Sequence, residues 1–190
     1  KREGYAARSV YKLQEIDRKL RLLRPGARVL DLGAYPGSWT TYAAERVGPS
    51  GRVLGVDLQL FRGTLPANAE IRQGDALALD LDDGPFDVVL SDMAPSTTGH
   101  RFTDQARSFE LFMRALEIAT RLLAPGGSFV GKIFQGPDFQ AARKAVAEAF
   151  EEVRILKPEA SRSESYEVFL AGRRMKPRAQ QTDQTDHPTE

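Results

Sequence analysis

The chain has 190 residues and a mass of 21.0 kDa, a length that predicts one domain. Hydrophobic residues make up 41% of it and charged residues 28%, which is typical of a soluble globular protein and excludes a disordered or fibrous one. No apolar run reaches the roughly 18 residues that a membrane-spanning helix needs. The absence of cysteine excludes a disulfide framework, a cysteine-ligated zinc site and a thiol nucleophile, and two histidines are too few for a histidine-rich metal site. We therefore expect no metal.

The net charge of +1 is unevenly distributed along the chain. Residues 1–28 contain nine basic and three acidic residues, whereas residues 29–131 contain eight basic and thirteen acidic residues. A basic segment on a mildly acidic body is typical of a protein that contacts a polyanion. Charge alone slightly favours the alternative, which is a solvent-exposed helix face.

Hydrophobic periodicity predicts the elements in chain order. Apolar residues at three- and four-residue spacing predict a basic, amphipathic helix over about 6–22. Residues 176–190 contain no large apolar side chain and are expected to be a disordered tail, which leaves residues 1–175 as a single domain. Strands are predicted at 28–33, 52–57, 70–74, 86–92, 128–134, 152–156 and 166–171, and further helices at 38–47, about 104–123 and 139–150.

Buried apolar strands alternate with helices over most of the chain, which indicates a parallel sheet with helices on both faces. Only about nine residues separate the last two strands, too few for a helical crossover. These strands are therefore expected to form an antiparallel hairpin at the sheet edge. The predicted fold class is α/β, with a seven-stranded and mostly parallel sheet.

A glycine-rich turn follows the first strand, in the sequence Asp31-Leu-Gly33-Ala-Tyr-Pro-Gly37-Ser-Trp39. Such a turn between a parallel strand and a helix lets the backbone approach a ligand at the carboxyl edge of the sheet. The turn lacks the G-x-G-x-x-G pattern, and the proline inside it makes it rigid. Both features disfavour a pyrophosphate cradle, and with it a nicotinamide-dependent oxidoreductase.

Acidic residues stand at the ends of four predicted strands, at Asp31, Asp57, Asp75 and Asp92. Strand-end aspartates are also common turn formers, which is the alternative interpretation for any one of them. Four of them at one sheet edge favour a nucleoside site with a cationic part. S-Adenosylmethionine matches this description, with Asp57 and Asp75 toward the adenosine and Asp31 and Asp92 toward the cationic end.

Four motifs follow one another along the chain: Arg8-Ser-Val-Tyr-Lys12-Leu, Ser91-Asp-Met-Ala-Pro95, Ala124-Pro-Gly-Gly-Ser-Phe-Val130 and Gly131-Lys132-Ile-Phe-Gln-Gly136. Together they resemble the FtsJ/RlmE family of RNA 2′-O-ribose methyltransferases, over about residues 1–173. The resemblance implies a Rossmann-like, S-adenosylmethionine-dependent methyltransferase fold. It also implies a catalytic set on Lys12, Asp92, Lys132 and Glu167 and a cofactor site on Gly37, Trp39, Asp57, Asp75 and Asp92, to which the turn and strand-end positions add Asp31 and Gly33.

The residues themselves support part of this catalytic set. Lys132 lies inside the apolar run 129–134, where a lysine is costly unless it serves a site or reaches an edge. A catalytic role is not the only interpretation for the other two residues. The side chain of Lys12 can equally well snorkel to the surface from the border of an apolar helix face, and Glu167 can equally well face outward from a strand. Phe169 departs from the family, which frequently has a tyrosine near the catalytic glutamate.

The reaction implied is an in-line displacement in which the enzyme aligns the reactants and handles one proton. Lys132 is the preferred base, and the alternative is a charged Lys132 that orients the hydroxyl and stabilises its developing negative charge. The sequence leaves both roles open.

RNA is the expected partner because only RNA carries the 2′-hydroxyl. The resemblance favours a uridine of large-subunit (23S) ribosomal RNA, with transfer RNA and a non-catalytic RNA-binding module as alternatives, and implies a cytoplasmic monomer without a membrane contact. The loop 96–107 is expected to border the acceptor nucleotide. RNA contacts are predicted for Arg8, Lys12, Arg18 and Arg162, with Arg173 and Arg174 as an extension.

Overall fold

The computed structural model describes residues 5–78, 84–161 and 165–177. Helices and strands alternate along this part of the chain, close to the predicted positions. The helices are α1 (Val10–Leu20), α2 (Ser38–Val47), α3 (Arg101–Leu122) and α4 (Phe139–Ala149), and the strands are β1 (Arg28–Leu32), β2 (Arg52–Asp57), β3 (Ala69–Gln73), β4 (Phe86–Ser91), β5 (Leu123–Phe134), β6 (Phe150–Leu156) and β7 (Glu167–Met175).

The seven strands form one sheet in the order β3-β2-β1-β4-β5-β7-β6. Strands β1 to β5 pair in parallel, whereas β7 pairs antiparallel with both β5 and β6. The β6–β7 hairpin thus adds to the β5 side of the sheet through β7, and β6 lies at the edge. The predicted α/β fold class, with a mostly parallel sheet and an antiparallel edge hairpin, is confirmed.

Helices cover both faces of the sheet, and two apolar layers hold them there. On one face Leu13 and Ile16 of α1 and Trp39 of α2 are buried together with Phe169 of β7. On the other face the apolar side chains of α3 and α4 are buried against the same strands. Each such side chain contributes about 1.5–3 kcal/mol when fully buried, so this packing fixes where α1 lies on the sheet.

Helix α1 is shorter at both ends than the predicted segment of about 6–22, and its C-terminal end is set by a change of backbone direction at Arg21. This residue adopts a left-handed conformation, with φ 51° and ψ 52°, and its N–H donates to the Asp17 carbonyl. The buried Asp17 side chain then accepts the Leu23 N–H at 2.9 Å. A carboxylate that accepts a backbone N–H just beyond the last helical turn can end a helix in this way without a glycine.

Three strands are longer than predicted, and one of them is β6, which begins at Phe150 rather than Glu152. β5 begins at Leu123 rather than Ser128, because Leu123 pairs with Phe86 before the Pro-Gly-Gly turn. β7 continues to Met175, which pairs with Phe150 of β6. The neighbouring Lys176, expected to begin the tail, donates its N–H to the Ala149 carbonyl at 2.9 Å, and residues 178–190 lie outside the described part of the chain.

Over the ranges described, none of the helices combines the length and apolar character needed to cross a membrane.

Candidate active site

The carboxyl ends of β1, β2 and β4 meet at one edge of the sheet, around Gly33. The register pairs Leu32 with Val56 on one side and with Ser91 on the other. The next residues along each strand, Asp57 and Asp92, therefore flank Gly33. Because parallel strands end together, residues distant in sequence reach one crevice, where open α/β sheets bind their ligands.

Four charged side chains from different elements form a chain of contacts beside this edge, which we call the tetrad: Lys12, Asp92, Lys132 and Glu167. Lys132 Nζ lies 3.1 Å from Asp92 Oδ1 and 3.8 Å from Glu167 Oε2. Glu167 Oε1 in turn accepts a hydrogen bond from Lys12 Nζ at 2.5 Å. The structure thus brings the four residues of the predicted catalytic set together.

Pairing and packing explain why these four side chains meet. β4 and β5 are neighbours in the sheet, and β5 pairs with β7 so that Phe134 lies opposite Glu167. Helix α1 carries Lys12 next to Leu13, which is buried against the sheet. The start of α1 is anchored because Trp39 Nε1 donates to the Ser9 carbonyl at 2.9 Å.

The tetrad is mostly withdrawn from water. The exposed fraction of the side chains is 9% for Lys132, 12% for Glu167, and 18% for both Lys12 and Asp92. Burial raises the pKa of Asp92, and the charges of Lys132 and Lys12 oppose that rise. Two ammonium groups and two carboxyl groups compensate one another, and removing one member leaves the others desolvated and unpaired.

The glycine-rich turn packs tightly against two side chains. Gly33 and Gly37 have φ values of +78° and +95°, which glycine adopts without strain. A Cβ on Gly33 would lie 2.8 Å from Met93 Cγ, and one on Gly37 would lie 2.8 Å from the Phe61 ring. A cavity of about 440 Å³ opens beside the turn, toward residues 60–64, and its lining does not include the strand-end aspartates.

Asp57 and Asp75 each hold a turn through backbone hydrogen bonds. The two carboxylate oxygens of Asp57 accept the N–H groups of Tyr35 and Gln59, at 2.9 and 2.8 Å. Asp75 Oδ1 accepts the Leu77 N–H at 2.9 Å. The turn-forming interpretation thus has a structural basis at both positions. Each carboxylate oxygen has two lone pairs, so a ligand hydroxyl or amino group can still bind there.

Asp31 lies within β1, just before the carboxyl edge of the sheet, and is fully buried. One oxygen accepts a 2.7 Å hydrogen bond from Thr40 Oγ1, and the other oxygen has no hydrogen-bond partner among the described residues. Burial raises the pKa of Asp31 to about 7, and the charges of Asp92 and Asp57 add to the rise. Carboxyl groups that repel one another at one edge fit a cationic ligand, which would relieve that repulsion.

The side chain of Trp39, a predicted cofactor residue, lies in the apolar layer under α1. Its side chain is 3% exposed and packs on Phe169, with ring centroids 5.7 Å apart. The indole supports the start of α1 through its hydrogen bond to the Ser9 carbonyl.

Two polar residues near the site were missed by the sequence reasoning. Thr40 is the partner of Asp31, and a hydroxyl in the first turn of the helix after the strand is the signal that could have found it. Asp104 is buried at the start of α3, where it accepts hydrogen bonds from the N–H and hydroxyl of Thr98. The backbone and side-chain hydrogen bonds of Thr98 lower the pKa of Asp104. They also fix the end of the loop that was expected to border the acceptor, and the part of the predicted loop 96–107 from Arg101 onward belongs to α3 instead.

The predicted RNA-contacting residues are distributed around α1. Arg8 and Arg18 are exposed, whereas Lys12 belongs to the tetrad. Arg162 lies outside the described residues.

A mostly parallel sheet in this order, with a glycine-rich turn after β1 and carboxylates after β2 and β4, is the architecture of the Rossmann-like methyltransferases. Human Methyltransferase-like protein 13, in complex with S-adenosylhomocysteine, shares this fold with a TM-score of 0.62 and 14% identity, covering 90% of this chain and 86% of that one. The crystal structure of a protein described as a ribosomal RNA methyltransferase from Plasmodium falciparum matches with a TM-score of 0.81 and 25% identity, over 92% of this chain and 100% of that one.

The sequence comparisons are more specific. A family model for FtsJ-like methyltransferases matches residues 5–175. Ribosomal RNA large subunit methyltransferase E of Sorangium cellulosum is 56% identical over 180 residues, which cover 93% of this chain and 85% of the relative. The protein of the same name from Syntrophobacter fumaroxidans is 52% identical over 182 residues, which cover 93% and 92%. This chain therefore belongs to the FtsJ-like methyltransferase family, as the motifs indicated.

Proposed function

We propose that this enzyme transfers a methyl group from S-adenosylmethionine to a ribose 2′-hydroxyl of large-subunit ribosomal RNA, on a uridine. The observation that carries the proposal is the tetrad, in which Lys132 contacts two carboxyl groups and Glu167 links it to Lys12. The relatives named above, which share more than half of their aligned residues with this chain, support the choice of large-subunit ribosomal RNA. We also propose that the protein is a monomer and that it acts in the cytoplasm.

The cofactor residues proposed are those around the turn and the strand ends. When bound, S-adenosylmethionine supplies a methyl group that its positive sulfonium has already activated. Asp57 and Asp75 would hold the adenosine through their free lone pairs, and Asp92 would face the cationic part. Gly33 and Gly37 would let the backbone approach, and the buried Asp31 would act through its charge rather than by contact.

Lys132 is the group that handles the proton of the acceptor hydroxyl. It either accepts that proton or, as an ammonium, donates a hydrogen bond to the oxygen as negative charge develops on it. Asp92 fixes Lys132 from one side, at 3.1 Å, and Glu167 does so from the other. Lys12 contacts the Glu167 oxygen that is turned away from Lys132. It lies in the first turn of α1, where it can contact a phosphate of the acceptor nucleotide.

The decisive experiment maps 2′-O-methyl groups in total RNA from cells with and without the gene. A single uridine in large-subunit ribosomal RNA that loses its methyl group, and regains it with the wild-type gene but not with Lys132→Ala, is the expected result. A lost site in transfer RNA would replace the proposed substrate. Restoration by the Lys132→Ala gene would contradict the proposed catalytic role of the tetrad.

A further inference from the structure

A second concave surface lies at the amino edge of the sheet, opposite the tetrad. It is a cavity of about 550 Å³ whose walls include Asp87 and Val88, at the start of β4, and Ser128 of β5. The loop after α1 and the end of β7 complete it. Its arginines are Arg21, Arg24, Arg173 and Arg174.

An adjoining concavity of about 880 Å³ shares Arg21 and Arg24 with the first and adds Arg18 and Arg46. Because the two concavities have residues in common, they form one continuous basic surface. We call it the amino-edge arginine surface, and its members are Arg18, Arg21, Arg24, Arg46, Arg173 and Arg174.

Half of these arginines have carboxylate partners. Arg46 pairs with Asp17 at 3.2 Å, and Arg173 and Arg174 pair with Glu152 at 3.5 and 3.0 Å. In the lining itself, Asp87 Oδ2 accepts the Arg28 N–H.

The other three arginines, Arg18, Arg21 and Arg24, are exposed. Across the described ranges, no carboxylate lies within ion-pair distance of any of them. A protein whose net charge is only +1 therefore concentrates uncompensated positive charge at this place.

Backbone conformation gives a second, independent sign that the surface is more than a solvated face. Among the described residues other than glycine, only Arg21 and Arg174 have positive φ values, 51° and 55°, and both line the same cavity. Glycine or asparagine would adopt this conformation more readily than arginine. Strained positions cluster where ligands bind, and here two such positions carry arginines whose charges face the same cavity.

A phosphodiester backbone is the partner whose chemistry fits. The planar guanidinium group matches the oxygens of a phosphate with two parallel hydrogen bonds. The surface also adjoins the helix that supplies Lys12. Nine residues separate Lys12 from Arg21, or about 14 Å at 1.5 Å per residue, so the amino edge lies outside the reach of the acceptor nucleotide itself.

We infer that the amino-edge arginine surface binds the phosphate backbone of an RNA segment remote from the nucleotide that is methylated. This inference rests on the proposed function for the identity of the polyanion. It predicts that part of the affinity for a long RNA comes from Arg21 and Arg24, and that a short acceptor cannot use them.

The test variant is Arg21→Asn/Arg24→Gln. It removes two charges, and the asparagine at position 21 tolerates the left-handed backbone there. The matched control is Arg114→Gln/Arg143→Gln, which removes two exposed charges from α3 and α4. Dissociation constants are measured against salt concentration for a folded large-subunit ribosomal RNA transcript and for a short acceptor oligonucleotide. Calorimetry with S-adenosylmethionine verifies that each variant is folded, and Arg24→Gln alone is used if the double variant is not.

For the long RNA, the slope of log K against log salt is expected to fall by about 1.4–1.8 in the double variant, since each lost contact removes about 0.7–0.9. The slope for the short acceptor, and both slopes of the control, should stay at the wild-type values. A double variant with the wild-type slope for the long RNA overturns this inference. Binding to vesicles of phosphatidylserine and phosphatidylcholine is measured in the same way. A double variant that loses affinity for these vesicles but not for the long RNA also overturns the inference. A wild-type enzyme that methylates no RNA refutes the proposed function instead.

Discussion

Lys12 Nζ and Glu167 Oε1 lie 2.5 Å apart, although 155 residues separate them in the chain. The contact joins the first turn of α1 to the first residue of β7. Neither residue stands out in the sequence, because each can also be interpreted as an ordinary surface residue. The contact exists because α1 packs through Leu13 and Ile16 on the sheet face that contains Phe169. The position of Lys12 thus depends on apolar packing some distance from the tetrad.

Lys132→Ala is expected to abolish methyl transfer while cofactor binding remains. The methyl group is activated by the cofactor itself, so the loss should fall on the chemical step and not on binding. Proton handling is typically worth about 10²–10⁴-fold, and we expect a loss of at least that order. Single-turnover transfer to a saturating RNA acceptor measures it.

Lys144→Ala is the matched control, because Lys144 is 80% exposed on α4 and pairs with Glu148 of the same helix. Its turnover should equal that of the wild type. A Lys132→Ala enzyme within threefold of the wild type would show that Lys132 neither takes the proton nor stabilises the oxygen, and the role would pass to Lys12.

Asp57→Ala is expected to weaken S-adenosylmethionine binding by about 1–3 kcal/mol, the cost of leaving a buried polar partner unpaired. Asp57 also holds the Tyr35 N–H, so the variant loses both a ligand contact and the shape of the turn. Asp57→Asn, which keeps one acceptor oxygen, should lose less. Calorimetry measures all affinities, with Asp87→Ala at the opposite edge as the control. Unchanged affinity in a folded Asp57→Ala protein would remove Asp57 from the site.

Much of the fold follows from the sequence because the strands are short apolar runs separated by strong breakers. β2 and α2 have the bounds that the pattern predicts. Lys132 could be singled out because a lysine inside an apolar strand needs a reason. The end of α1 could not be predicted, since it depends on the buried Asp17 and on a left-handed Arg21 where no glycine marks the stop. Nor could the pairing of Asp31 with Thr40, because it depends on how α2 lies on the sheet.

Arg8→Ala/Arg18→Ala is expected to weaken RNA binding and to flatten its salt dependence, because fewer counterions are released. Arg8 lies just before α1 and Arg18 lies within it, and both are exposed, so the fold should tolerate the change. Two lost phosphate contacts would reduce the slope of log K against log salt by about 1.4–1.8. Cofactor affinity should stay the same. An unchanged slope would mean that the basic segment is only a solvated helix face.

Asp31→Asn is expected to change how stability depends on pH. The pKa of Asp31 is about 7 in the folded protein and 3.8 when it is unperturbed, chiefly because burial disfavours the charge. Between these values the folded state binds one proton more than the unfolded state. The stabilising contribution of the neutral carboxyl is therefore complete below pH 3.8 and is lost as the pH rises through about 7.

At about 1.4 kcal/mol per pH unit, and less where the pH is close to either pKa, the wild type should lose about 3 kcal/mol relative to the asparagine variant between pH 4 and 7. Asparagine does not titrate, and it can still accept the Thr40 hydrogen bond. The pH dependence that comes from the other titratable groups is therefore shared by the two proteins and cancels when their stabilities are subtracted. Urea unfolding of both proteins at a series of pH values measures the difference. Asp104→Asn is the control of opposite sign, because hydrogen bonds lower the pKa of Asp104 and its contribution is lost as the pH falls. A difference between wild type and Asp31→Asn that stays constant within about 0.5 kcal/mol over this range would show that Asp31 ionises in the folded protein as it does in water.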